Sequence, residues 1–388
     1  MSLFRKLSYI SRVLPAYGWQ RLTRRVPDGS LHLILALADH FEPAMDARGG
    51  EARVGRDEQE RRLELWCRQY PKLVDAWRDH DGRPFIHSYF FPAEQYDEGL
   101  LQTLASHCHA GWGEIEIHLH HGSREPDTAE NTRRQLVAFR DILAFRHRCL
   151  AMDSSSNVPR YAFVHGNFAL ANSAGGRHCG VDSEMAVLSE TGCFADMTLP
   201  AAPFDPSQTA KINSIYECSM PLGQRAPQRQ GRNLRTDRTP GVYPLIVQGP
   251  LQVDFRRNGR VGIENGSITK ANPLTLRRLA MWKQAGVRIE GRPDWLFIKL
   301  HCHGMDPNQQ DAVLGEPMRH FLEELVQGAA RRKETLHFVS AREMINIILA
   351  ACEGREGNPG DYRDYKFKRI RDLPASATQA DRSASVRG

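Results

Sequence analysis

The sequence predicts an α/β fold built on a largely parallel sheet or barrel, and three observations carry that expectation. Short hydrophobic runs alternate with amphipathic stretches of 3.6-residue period along most of the 388 residues. The first run, 31–39 (LHLILALAD), is almost continuously apolar, as a strand covered by helices on both faces must be. The polar residues that follow or interrupt such runs, among them Asp39-His40, His118 and His120, and His301 and His303, fall at strand ends. Those ends are where parallel α/β folds gather their chemistry.

The elements follow in order. Residues 1–30 form a basic N-terminal segment, in which 2–14 suit a short basic amphipathic helix that either touches a membrane surface or packs on the domain. After the strand at 31–39, Leu63, Trp66, Tyr70, Leu73 and Trp77 recur at spacings of three and four and predict a helix over 57–79. A strand at 84–92, a helix at 94–106 and the histidine strand at 114–121 come next. Leu136, Phe139, Leu143 and Phe145 stripe a long helix over 127–149, before strand 160–164, helix 183–190 and strand 194–199. Residues 201–270 are rich in Pro, Gly, Gln and Arg and break the rhythm. They read as an insertion covering one mouth of the core, with a hairpin at 254–262 whose Asn258-Gly259 suits a type I′ turn. Helix 273–285, strand 294–303, helix 316–330, strand 335–340 and helix 341–352 complete a core domain over 31–353. Residues 354–388 are charged and weakly periodic, and predict a loose tail.

Composition narrows the class. Hydrophobic content of 41% and charged content of 25% are those of a globular protein. The net charge of +6 concentrates in 5–25 and 225–238 without a nucleic-acid motif, so these read as solvated basic segments and no nucleic-acid partner is expected. Eight scattered cysteines without a C-x-x-C pair suit reduced thiols in a cytosolic compartment. No signal-peptide pattern and no membrane-spanning apolar run are read, so the expected location is cytoplasmic, with peripheral contact at the inner membrane face through 2–14.

The stretch 113–122 (GEIEIHLHHG) organises the chemistry. Strand alternation puts Glu114, Glu116, His118 and His120 on one face and Ile115, Ile117 and Leu119 on the other. Two imidazoles at i,i+2 spacing can share one metal ion. His121 has the opposite parity and is expected to leave that face. On the strand at 294–303, Phe297, Lys299, His301 and His303 share a face, and a buried Lys299 needs a partner such as Glu114 or Glu116. A carboxylate with two or three imidazoles and an open coordination position can activate water and polarise a carbonyl, the parts needed to hydrolyse an amide or ester.

In order and context these motifs resemble the polysaccharide deacetylase superfamily (NodB homology, carbohydrate esterase family 4). Leu37-Ala38-Asp39-His40 stands where that family has a strand ending in paired aspartates. Glu114-Ile115-Glu116-Ile117-His118, with His120 or His121 as follower, is similar to its second motif. Phe163-Val164-His165-Gly166-Asn167-Phe168 stands at its loop after the fourth strand, and Ile298-Lys299-Leu300-His301 looks like its last motif. The resemblance spans about 31–350 outside the insertion and implies a distorted (β/α)7 barrel. It further implies a divalent metal, with zinc favoured and nickel, cobalt or manganese tolerated. Carried over residue by residue, it makes Asp39 the base and His301 the acid, with His40, His118 and His120 as metal ligands. His165, Asn167 and His303 become substrate-binding residues. The implied reaction is removal of N- or O-acetyl groups from a saccharide or polysaccharide precursor. The departure at His40, where the family has an aspartate, keeps two other classes in play: a non-catalytic glycan-binding barrel, and a glycoside hydrolase or lyase on a related barrel.

Overall fold

The structure, a computed structural model, describes residues 3–373 apart from 28, 50–51, 124, 177, 202–206 and 256–260. The strands are β1 (Leu31–His40), β2 (His87–Pro92), β3 (Gly113–Leu119), β4 (Ala151–Asp153), β5 (Pro159–His165), β6 (Cys193–Asp196), β7 (Ile215–Cys218), β8 (Gly231–Asn233), β9 (Leu245–Val247), β10 (Gln252–Phe255), β11 (Val261–Glu264), β12 (Trp295–Cys302), β13 (Glu334–Phe338) and β14 (Phe367–Arg369). The helices are α1 (Leu3–Thr23), α2 (Arg56–Val74), α3 (Glu98–His107), α4 (Ala129–Asp141), α5 (Glu184–Glu190), α6 (Leu276–Ala285), α7 (Asp311–Leu314), α8 (Glu316–Gly328) and α9 (Ala341–Cys352). All but β10 and β11 join one mixed, mainly parallel 12-stranded sheet, in the order β12-β1-β2-β3-β5-β6-β9-β7-β8. β1 lies inside it, parallel to β12 along one edge and to β13 and then β2 along the other. The ladder is open, yet Lys299 of β12 donates to the carbonyls of Met197 and Leu199, both at 2.7 Å, just beyond β6. The sheet therefore curves until its β12 edge meets the segment after β6.

Strand alternation divides two cores. Leu33, Leu35 and Leu37 of β1, with Tyr89, Ile117, Phe163 and Ile298, pack outward against Leu63 and Trp66 of α2, Leu104 of α3 and Leu136 of α4. Ile34, Ala36 and Ala38 turn to the concave face with Phe90, Ala162, Val164, Phe194 and Phe297. There they meet α9, buried along its whole length and begun by a capping box between Ser340 and Glu343. Its Arg342 donates to both oxygens of Glu114, at 2.9 and 2.7 Å, and to the Phe367 carbonyl at 2.8 Å. A buried guanidinium is tolerated because each of its donors is matched.

Two expectations, for the insertion and for the tail, meet a different outcome. β7 and β9, within the predicted insertion, extend the main sheet, with β9 parallel to β6. Leu245-Ile246-Val247 is fully buried but too short to register as a strand by periodicity. The hairpin pairs Phe255 with Val261, while its turn at Asn258-Gly259 lies outside the described residues. Residues 359–373 are packed, not loose: β14 pairs with β4, and Phe367 and Ile370 are buried. Their charges are paired, Arg363 with Asp79 at 2.9 Å and Asp81 at 2.7 Å, which hides a buried segment behind a polar composition. Residues 374–388 lie outside the described residues. α1 docks through Val13 and Tyr17 on Ile212, Leu251 and Ile263. No helix among the described residues is long and apolar enough to cross a membrane.

Candidate metal centre

At the mouth of the concave face the ends of β1, β3 and β12 converge. His40 shares the parity of Ala36 and Ala38, His118 that of Glu116, and His301 that of Lys299. The His40 ring lies 4.9 Å from that of His118, 4.6 Å from that of His303 and 6.4 Å from that of His301, centroid to centroid. The His118 and His120 rings are 4.4 Å apart. Glu42 sits among them, with Oε1 3.8 Å from Nε2 of His118 and Oε2 3.8 Å from Nε2 of His120. The ligand atoms form two triads sharing that carboxylate: His40, Glu42 and His303, and Glu42, His118 and His120.

The donor set fits a divalent ion. The Nδ1 of His118 donates to the Val164 carbonyl at 2.8 Å, leaving a lone pair on Nε2 that is fully buried and has no hydrogen-bond partner among the described residues. Such a group is costly unless something binds it. Nδ1 of His120 is likewise held, by Glu94 at 2.7 Å. A second ring nitrogen tied to a carbonyl or carboxylate is the usual posture of a metal-ligating imidazole. Burial, then the neighbouring imidazoles, holds His40 and His118 well below the ordinary histidine range, in the neutral ligating form. Burial brings His303 down to about 4. Glu42 is pushed up by burial. Burial also works against a charged His120, but the Glu94 hydrogen bond and the Glu42 charge outweigh it and raise its pKa.

Of the residues expected at the site, the structure brings together His40, His118, His120, His301 and His303. Asp39 is not with them. As the neighbour of His40 on a strand it points to the opposite face, where Oδ1 accepts from the Gly304 amide at 2.7 Å and Oδ2 lies 3.8 Å from His87. Burial pushes that carboxyl up to about 7. His165 is also on the outer face, 3.1 Å from His121 by their Nε2 atoms. Asn167 is exposed in a tight turn with φ 57°, next to Phe168, whose ring stands 5.8 Å from His40 and 6.2 Å from His301. Lys299 takes backbone carbonyls as partners; Glu114 is held by Arg342, and Glu116 accepts from the Ala162 amide at 2.6 Å.

Glu42 and Glu94 were given no role by the sequence, and Phe168 stood in the matched loop 163–168 without one. Glu42 carried a signal, since it shares the parity of His40 two residues past it. Glu94 carried none, and for Phe168 the motif loop marked the place but not the contact, because only the pairing of β2, β3 and β5 brings these loops to His120 and His40. In comparisons with known proteins, no family model and no curated protein matches the chain.

Proposed function

We propose that the protein is a metal-dependent hydrolase that removes N- or O-acetyl groups from a saccharide or polysaccharide precursor, on a sheet that forms a distorted (β/α)7 barrel. The observation that carries this reading is the buried, unpartnered Nε2 of His118, facing Glu42 in a cluster with His40, His120 and His303. His40, His118, His120 and His303 would hold the ion, beside the Glu42 carboxylate that the two triads share. A divalent ion there, with zinc favoured by the imidazole-rich donors, would supply Lewis acidity toward an acyl carbonyl and toward water. With Asp39 turned away, Glu42 is the acid–base group. It accepts a proton from the attacking water and returns it to the departing amine or alkoxide. His301, kept neutral by burial and then by Lys299, offers a hydrogen bond to the acyl group, and Phe168 gives a sugar ring an apolar wall. A polar cleft of about 470 Å³ beside His120, lined by Glu125, Asn131 and Gln135 among others, suits a hydroxyl-rich ligand.

The outward Asp39 favours one other reading, a glycan-binding barrel without turnover. Acetylated saccharides incubated with the zinc-loaded protein separate the two. Metal-dependent acetate release that is lost in His118→Ala supports the hydrolase. Saccharide binding without acetate supports the binding protein, and new reducing ends in place of acetate indicate glycosidic cleavage and overturn both.

A further inference from the structure

On the outer face of the sheet, under α4 and α5, a second group of ligand-type side chains converges. His121 follows the end of β3, His165 ends β5 and Glu184 opens α5; all are buried, at 4%, 0% and 0% exposure. We propose that His121, His165 and Glu184 form a second metal site, structural in role, for a zinc-type divalent cation. Nε2 of His121 lies 2.8 Å from Oε1 of Glu184 and 3.1 Å from Nε2 of His165, and the third edge, His165 to Glu184, is 3.6 Å. Tetrahedral ligands at zinc bond lengths stand roughly 3.3 Å apart, and the three edges bracket that value.

The surrounding hydrogen bonds aim the lone pairs inward. Nδ1 of His121 is bonded to Asp127 at 2.8 Å, and Nδ1 of His165 to the Gly166 carbonyl. Both rings thus spend their Nδ1 protons outward, the second-layer arrangement found around metal-bound histidines. Glu184 uses its other oxygen to accept from the Ala171 amide, and Asp127 is fixed by Asn131 at 2.6 Å and Thr132 at 3.0 Å. Three acceptor atoms therefore face one another. A proton on His121 Nε2 bridges only one of the pairs, whereas a cation satisfies all three. The buried Glu184 and the half-buried Asp127 also bring two carboxylates to the two imidazoles, a charge that one divalent ion balances.

The site would staple the ends of β3 and β5 to α5. Its effect reaches the concave face through the chain: His121 adjoins His120, and Gly166 follows His165. A Cβ on Gly166 would fall 2.3 Å from the His120 ring, so that ring packs directly on the stapled backbone. The inference does not depend on the hydrolase reading, and metal content separates the two.

The full-length chain is loaded with zinc, desalted and assayed by plasma mass spectrometry, alongside His118→Ala, His165→Gln and Glu184→Gln. The expected result is about two equivalents in the parent and about one in each variant, with the thermal midpoint of both outer-face variants lowered and no longer raised further by zinc at that site. Anomalous scattering at the zinc edge from the parent places one ion between His121, His165 and Glu184, whatever the folding of the variants. A single equivalent, lost in His118→Ala and kept in His165→Gln, overturns this site and leaves the concave-face centre standing. A single equivalent with the opposite pattern upholds it and removes the metal from the hydrolase reading. No zinc density at the three side chains, with His121 bridging Asp127 and Glu184 as an imidazolium, also overturns it.

Discussion

Lys299 ties the last strand of the sheet to the segment after β6, and its replacement by methionine has a pH signature. The side chain is 1% exposed, and its ammonium reaches the Met197 and Leu199 carbonyls at 2.7 Å each. Burial, opposed by the charge of Asp196, brings its pKa from 10.5 down to about 7. Above pH 7 the folded chain holds a neutral amine, while the unfolded chain keeps its proton up to about pH 10.5. The unfolded state therefore binds more protons in that window, so the parent gains stability as pH rises through it. At about 1.4 kcal/mol per pH unit, the full burial cost below pH 7 is about 5 kcal/mol. Between pH 7.5 and 9.5 the parent should gain about 2.5 kcal/mol relative to Lys299→Met. The Leu199 carbonyl keeps the Gly249 amide at 3.1 Å, so the Met197 carbonyl is the one stranded, at about 1–3 kcal/mol, and that offset does not vary with pH. Urea unfolding followed by circular dichroism at the two pH values measures the difference. A parent–variant gap that is the same at both, or that moves the other way, refutes the buried neutral lysine.

Three further outcomes are expected. Glu42→Gln should lower acetate release by roughly 10²–10⁴-fold, the usual worth of a positioned proton-transfer group, while Asp39→Asn leaves the rate nearly unchanged; the reverse order in a hydrolysis assay would return the base to Asp39. Glu94→Gln, which loosens the posture of His120, should weaken metal affinity about 10–100-fold in competition with a chromophoric chelator. Arg342→Met strands the Glu114 carboxylate and should cost about 3–5 kcal/mol in urea unfolding, of which Arg342→Met/Glu114→Leu recovers a large part.

Much of the fold was legible because periodicity is local. The helix over 341–352 and the strands carrying His40, His118 and His301 follow from residues close to one another in the chain. Strand parity was equally local: it separated His118 from His121 correctly. Applied to β1, the same rule sets Asp39 and His40 on opposite faces, so an Asp39 base beside a His40 ligand required a bend the strand does not have.

By itself, then, the amino-acid order determined the alternating α/β plan, the concave-face histidines and the outward turn of His121. Pairing across long separations decided the rest. Parallel pairing of β12 with β1 set His303 beside His40, and curvature of the sheet brought β12 to the segment after β6. Parallel pairing of β3 with β5 set His121, His165 and Glu184 into one cluster, and Arg342 drew 359–373 out of a charged tail into the core. The reason is physical: a residue's own neighbours dictate which way it points, but which distant side chain meets it depends on how whole strands and helices bury their apolar faces together.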